Sequence, residues 1–226
     1  VSAARRSDGS GGRAARHTAR AVLDRCGRTY AEEAGIRLRD TPQPLYQLLV
    51  LSMLLSARIR ADTAVAAARE LFRAGLRSPE NMAGADWQER VDALGRGGYR
   101  RYDESTATML GKGAELVRER WGGDLRRLRA DADGPEEVKR RLTEVPGIGP
   151  AGAAIFLREA QGVWPDYAPF ADRKVQDGAR RVGLPTGPEE LSGLVGEDEL
   201  PRLTAGLVRV ALDRRTAEDV RETAAA

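Results

Sequence analysis

The sequence predicts an all-α fold. Three observations carry this: apolar residues recur at helical spacing along most of the 226 residues, Gly- and Pro-containing stretches interrupt those runs, and no alternating strand-like segment stands out. Hydrophobic residues make up 41% of the chain, so it is globular and long enough for one large domain or two small ones. There is no internal repeat.

Residues 1–13, rich in Ser, Gly and Arg, are expected to form a flexible basic leader. Residues 14–34 suit a first helix with Ala21, Val22, Tyr30 and Ala31 on its apolar face, and 35–44, with Pro42 and Pro44, is a connector. Leu45–Ala57 is apolar on nearly all sides, the mark of a buried helix. In Asp62–Ala74 the residues Val65, Ala68 and Phe72 fall at i, i+3, i+7 and predict an amphipathic helix. Ser78–Met82 and Trp87–Leu94 are two short helices, stopped by Gly95-Arg96-Gly97-Gly98. Tyr102–Arg120 is a long helix with Met109, Leu110, Leu116 and Val117 expected to face inward. After Gly122-Gly123 and the Asp131–Gly134 turn comes a helix over Pro135–Val145, with Glu136 and Glu137 where acidic residues favour a helix N-terminus. A further helix runs from Pro150 to Ala160, the Val163–Ala171 connector leads to another after Asp172, and Glu189–Val195 and Leu200–Glu222 are again helical.

The one cysteine, Cys26, excludes an internal disulfide and a Cys-rich zinc or iron–sulfur cluster. The one histidine, His17, lies near the N-terminus, which excludes histidine-based catalysis and a histidine zinc site. The formal charge of +3 is unevenly placed: the first 28 residues hold seven Arg against Asp8 and Asp24, so the rest is slightly acidic. That basic segment can track phosphates electrostatically or serve as a solvated arm. No stretch approaches the ~20 apolar residues of a membrane span; Leu45–Leu55 is too short and contains Gln47 and Ser52. No apolar run follows the Arg-rich start, so no secretory signal is expected and a cytoplasmic, nucleoid-associated location fits.

The densest signal is Leu142-Thr143-Glu144-Val145-Pro146-Gly147-Ile148-Gly149-Pro150-Ala151-Gly152. One helix runs into Pro-Gly-Ile-Gly and a second leaves from Pro150. Two glycines allow a tight turn and close approach to a ligand, and Pro150 suits the first turn of the outgoing helix. The free amides there, with the positive end of the helix dipole, form a ready phosphate site. This stretch resembles the hairpin of helix-hairpin-helix DNA-binding proteins. Asp172 follows Gly149 by twenty-three residues at the start of another helix, and with it the chain resembles the helix-hairpin-helix (HhH-GPD) DNA glycosylase superfamily, endonuclease III-like.

The resemblance runs from Pro44 to Arg215 and includes Leu54-Leu55-Ser56-Ala57, Gly98–Leu110 with Tyr102 heading the long helix, and Leu203–Arg215. It implies a two-lobed fold: a six-helix barrel over 41–155, a helical domain from both chain ends (14–40 and 156–226), and a hairpin over 135–160 spanning the boundary. It also implies a cleft that receives one nucleotide flipped from the duplex. Two departures stand out. The iron–sulfur loop of many relatives has no counterpart, and Ala151, followed by Gly152, occupies the position where bifunctional relatives carry the lyase lysine.

Asp172 is the candidate catalytic residue, because a carboxylate stabilises the positive charge that develops on deoxyribose or activates the attacking water. Its bland reading is an N-cap for a helix with Val175, Ala179 and Val182 on one face, and the two roles are compatible. Asp166 and Asp177 are weaker candidates. Gly147, Gly149, Ala151 and Gly152 are expected to bind one DNA phosphate, with K+ or Na+ on backbone carbonyls of Val145 and Ile148; the alternative is a plain Gly-containing turn between helices. Lys174 is a displaced lyase nucleophile, a phosphate contact or a surface charge. Arg58 and Arg60 leave the helix from which relatives fill the gap left by the flipped base, or are simply solvated. Tyr102, Trp164, Tyr167 and Phe170 are pocket walls for an extruded base or core residues.

The resemblance, with Ala151 at the lyase position, implies a monofunctional DNA glycosylase of base excision repair. It is expected to be monomeric, to act on double-stranded DNA that contains a damaged or modified base, and to require no cofactor. Alkylated purines, oxidised pyrimidines and mismatched or modified bases are all compatible substrates. The alternatives are a catalytically inactive DNA-binding or damage-sensing protein, and a bifunctional glycosylase/AP lyase using Lys174.

Overall fold

The computed structural model describes residues 4–225, with side chains from residue 11 onward. Among these residues every regular element is helical, as predicted. In chain order the α-helices are α1 (Ala4–Cys26), α2 (Tyr30–Glu33), α3 (Pro42–Ser56), α4 (Ala61–Arg73), α5 (Pro79–Gly84), α6 (Trp87–Arg96) and α7 (Asp103–Trp121). They continue with α8 (Leu125–Ala130), α9 (Pro135–Leu142), α10 (Pro150–Ala160), α11 (Arg173–Arg181), α12 (Pro188–Ser192), α13 (Leu200–Leu212) and α14 (Arg214–Ala225). No helix among the described residues is long and apolar enough to cross a membrane.

The chain divides into two compact units: Tyr30–Val163, and the chain up to Thr29 together with everything from Trp164 on. In the Tyr30–Val163 unit, α3 is the central element. Leu45, Leu48, Leu49, Leu51 and Leu54 are fully or almost fully buried, and α4 and α10 pack on it, as a helix apolar all round requires. The buried Arg90 of α6 donates to the carbonyls of Ala107 (2.9 Å), Met82 (2.9 Å) and Ala85 (2.7 Å). These three bonds offset the cost of removing the guanidinium from water and tie α5, α6 and α7 together.

The predicted first helix over 14–34 is two helices, and the unit is wider at both ends than the 41–155 expected for the barrel. The reason is Glu159 of α10, which is buried. Its carboxylate accepts the amides of Tyr30 (3.2 Å) and Ala31 (2.9 Å). A carboxylate at a helix N-terminus satisfies orphan donors and complements the dipole, so α2 starts afresh at Tyr30 and belongs with α10.

In the other unit, α13 is buried along most of its length and receives α1, α11 and α14. Gly178 of α11 lies so close that a Cβ there would sit 1.9 Å from the Leu207 carbonyl oxygen. Arg202 and Arg209 donate to the carbonyls of Gly27 (3.1 Å) and Arg28 (2.9 Å), just past the end of α1. The flexible leader expected over 1–13 is instead helical from Ala4, while residues 1–3 lie outside the described residues. Ala19 and Val22 are fully buried and anchor the helix, and once a turn is nucleated each added residue gains a hydrogen bond. The basic segment is therefore anchored in its second half by Ala19, Ala21, Val22 and Leu23, while Arg16, Arg20, Arg25 and Arg28 stay exposed.

Candidate nucleic-acid interface

In the Tyr30–Val163 unit the hairpin is built from α9, a loop over 143–149, and α10. Val145 and Ile148 plug the loop into the core, and the Val145 carbonyl accepts the Ile148 amide at 2.9 Å. Gly147 has φ +88°, a conformation that a side chain at this position would strain. A Cβ there would also lie 2.9 Å from Met53 Sδ and 3.2 Å from Met109 Cβ. The loop thus rests on the last turns of α3 and the first half of α7. Gly113 of α7 makes the second close approach, since a Cβ there would meet Val145 Cγ1 at 3.1 Å.

Helix α10 opens on Gly149 with Pro150 following and no side-chain cap. Its first intrahelical bond runs from the Ala153 amide to the Gly149 carbonyl at 3.0 Å, so the amides ahead of Ala153 have no carbonyl of a preceding turn to meet. Gly149, Pro150 and Ala151 are exposed, Gly147 is half-buried and Gly152 is buried. Gly152 fits against Ile148 and the Ser52 carbonyl, so of the four expected phosphate contacts Gly149 and Ala151 are the exposed ones.

Cationic side chains near the end of α9 are engaged in ion pairs. Arg140 pairs with Glu137 (3.1 Å) and Glu144 (3.2 Å), Arg141 with Glu137 (2.7 Å), and Arg120 with Glu144. The Asp133 amide and the Arg141 guanidinium hold the Glu137 carboxyl down to about 2 from its ordinary 4.5. Anion attraction at the hairpin therefore comes chiefly from its backbone. Past the end of α3, Arg58 and Arg60 are exposed, with Arg60 paired to Asp62 at 2.7 Å. Tyr102 is half-buried with the Arg101 guanidinium 5.2 Å over its ring. Met109, expected to face inward, is 41% exposed. The hairpin loop occupies the space beside it, so it presents apolar surface next to Gly147. The clue in the sequence was Gly113, four residues on, where α7 makes room for the loop.

In the other unit, Asp172 is the N-cap of α11: its backbone is extended (φ −74°, ψ 175°) and Oδ1 accepts the Val175 amide at 3.0 Å. Val175, Ala179 and Val182 form the predicted buried face. The carboxylate residue is half-buried, while Arg173 and Lys174 are exposed in the same turn. Asp166 is exposed, and Asp177 pairs with Arg180 at 2.6 Å, which holds its carboxyl below the ordinary range. Two of the expected pocket walls are core residues. Trp164 is fully buried and Tyr167 nearly so, their rings edge-to-face with centroids 5.9 Å apart. A ring packed in this way has no open face for a base; Phe170 is half-buried. Among the described residues there is no group of three or more His, Cys, Asp or Glu able to hold a metal ion.

No protein-family model matches the chain, and no curated protein matches it. Among solved structures it is similar to one described as a trapped endonuclease III–DNA covalent intermediate, an estranged-adenine complex. The identity is 15%, the alignment covers 80% of this chain and 81% of that one, and the TM-score is 0.47.

Proposed function

We propose that the chain binds duplex DNA and acts as a monofunctional DNA glycosylase in base excision repair. The observation that carries this is one hairpin and one acid in a single chain. An uncapped helix start with exposed Gly149 and Ala151 suits a phosphate. A half-buried carboxylate, Asp172, is fixed at the head of a helix.

In this reading the amides at the hairpin grip one phosphate of the strand carrying the damaged or modified base. Asp172 stabilises positive charge developing at the sugar C1′ and accepts a proton from the attacking water. The N-glycosidic bond breaks, the base leaves, and water supplies the hydroxyl at C1′. Ala151 has no amine, so no imine with the sugar forms there and β-elimination has no covalent intermediate to follow. The backbone stays intact. A K+ or Na+ would sit on the loop carbonyls; the Val145 oxygen already takes the Ile148 amide and keeps one lone pair for an ion. The enzyme works as a monomer on the chromosome.

One observation favours a binding-only protein: Asp172 Oδ1 is already engaged as a cap. The test is to screen purified protein against duplexes that each carry one modified base, detecting free base by mass spectrometry. Expected are base release with an uncut strand and no borohydride-trapped adduct. DNA binding without release of any base supports the binding-only reading. Trapping that vanishes in Lys174→Ala supports a lyase.

A further inference from the structure

We propose that the Tyr30–Val163 unit holds a second anion site, built for a small molecule that carries several linked phosphates. A cavity of about 850 Å³ opens between the α2–α3 connector and the second half of α4. Five arginines line it: Arg37 and Arg39 from the connector, Arg69 and Arg73 from α4, and Arg77 just beyond. No Asp or Glu is among its lining residues.

These guanidinium groups are largely uncompensated. Arg37, Arg39 and Arg69 make no ion pair among the described residues. Arg73 is paired with Glu70, and Arg77 Nε donates to the Phe72 carbonyl at 2.7 Å, which fixes the orientation of its fork. Like charges brought to one concavity repel one another, and an anion between them removes that cost. Guanidinium forks match phosphate oxygens two at a time, and phosphate contacts of this kind are among the stronger hydrogen bonds. The N-terminal turn of α3 also lines the cavity, adding positive potential from its dipole.

Volume favours a small ligand. The cavity falls within the range of small-molecule sites, whereas a duplex backbone needs an extended track. The site is also separate from the hairpin: the cavity lies at the start of α3, and the hairpin rests on Met53, about 17 Å of helix further along. The proposal is therefore independent of the glycosylase reading.

The experiment is isothermal titration calorimetry of the full chain at low ionic strength, with inorganic triphosphate and with ATP as separate probes. Triphosphate is expected to bind with one equivalent per chain. The Arg37→Ala/Arg69→Ala double variant is expected to weaken it about tenfold or more. Lys112→Ala/Arg118→Ala removes the same charge from exposed positions of α7 and is expected to leave it unchanged. ATP binding at least tenfold more tightly than triphosphate identifies a nucleoside triphosphate; equal affinities identify a bare oligophosphate. Circular dichroism of both variants checks folding, and all the altered arginines are exposed. Three results overturn the proposal: no heat of binding at millimolar probe, equal weakening in both double variants, or displacement of triphosphate by a short duplex. Duplex binding and base release are measured in parallel, so loss of one reading leaves the other standing.

Discussion

Replacing Asp172 by Asn and by Ala separates its cap from its proposed chemistry. The bond from the Val175 amide to Oδ1, at 3.0 Å, is what Ala removes, at a cost of about 1 kcal/mol. For a chain of this length that lowers Tm by roughly 2–4 °C. Asn caps a helix about as well as Asp but lacks the negative charge that complements the dipole, worth about 0.3–1 kcal/mol. Arg173 and Lys174 follow Asp172 directly in the first turn. Asn forfeits only the attraction to that charge and the dipole, whereas Ala forfeits it together with the cap bond, so the Asn cost is expected to stay below the Ala cost. Stability, read from urea unfolding by circular dichroism, should rank wild type, then Asn, then Ala. Base release under single-turnover conditions should instead fall in both variants by on the order of 10²-fold or more, because both lack the carboxylate's charge. Base release by Asp172→Asn within about tenfold of wild type would refute the assignment. The carboxylate would then be a helix cap and nothing more.

Gly178→Ala should be severe, since its Cβ would lie 1.9 Å from the Leu207 carbonyl oxygen; a loss of about 3 kcal/mol or more is expected in urea unfolding, with α11 displaced from α13. Glu137, held down to about 2 in the folded chain, contributes stability that is fully present above pH 4.5 and is lost as pH falls toward 2. The stability gap between wild type and Glu137→Gln should be constant from pH 7 to 5 and close below 4.5; a gap that widens in acid contradicts the sign. Burial pushes the Cys26 thiol up to about 11, so alkylation at pH 8 should be far slower in the folded chain than in urea. Equal rates would show that the thiol is open to solvent.

What the sequence made legible was local. The N-cap at Asp172 and the buried Val175–Ala179 face are set by spacing within one helix, and α3 is marked as central because it has no polar side. The hairpin turn follows from the backbone freedom of Gly147 and the fixed φ of Pro150. What stayed hidden depended on partners far along the chain. The break between α1 and α2 is imposed by Glu159, 129 residues after Tyr30. Trp164 reads the same in sequence whether its ring lies in a core or lines a pocket, and the fold buries it. Helical period turned Met109 inward, but the hairpin loop fills the adjoining space. The five arginines of the cavity lie in segments forty residues apart at most, and nothing in their spacing announces that they converge.

The two elements given functional roles are each held by a contact that only a glycine permits. Gly178 lets α11 press its backbone on the Leu207 carbonyl, so the helix headed by Asp172 is anchored at its far end by main chain rather than by a side chain free to change rotamer. Val175 adds a fully buried anchor one turn from the carboxylate. Gly147 and Gly113 do the same for the hairpin, seating it against Met53, Met109 and α7 with no intervening Cβ. Groups that must be held to within about 0.5 Å of a working geometry gain most from such support. On this argument Gly113→Ala, whose Cβ would come closest to the Val145 side chain, at 3.1 Å, should impair DNA binding before it abolishes folding, although Gly113 is assigned no contact with the nucleic acid.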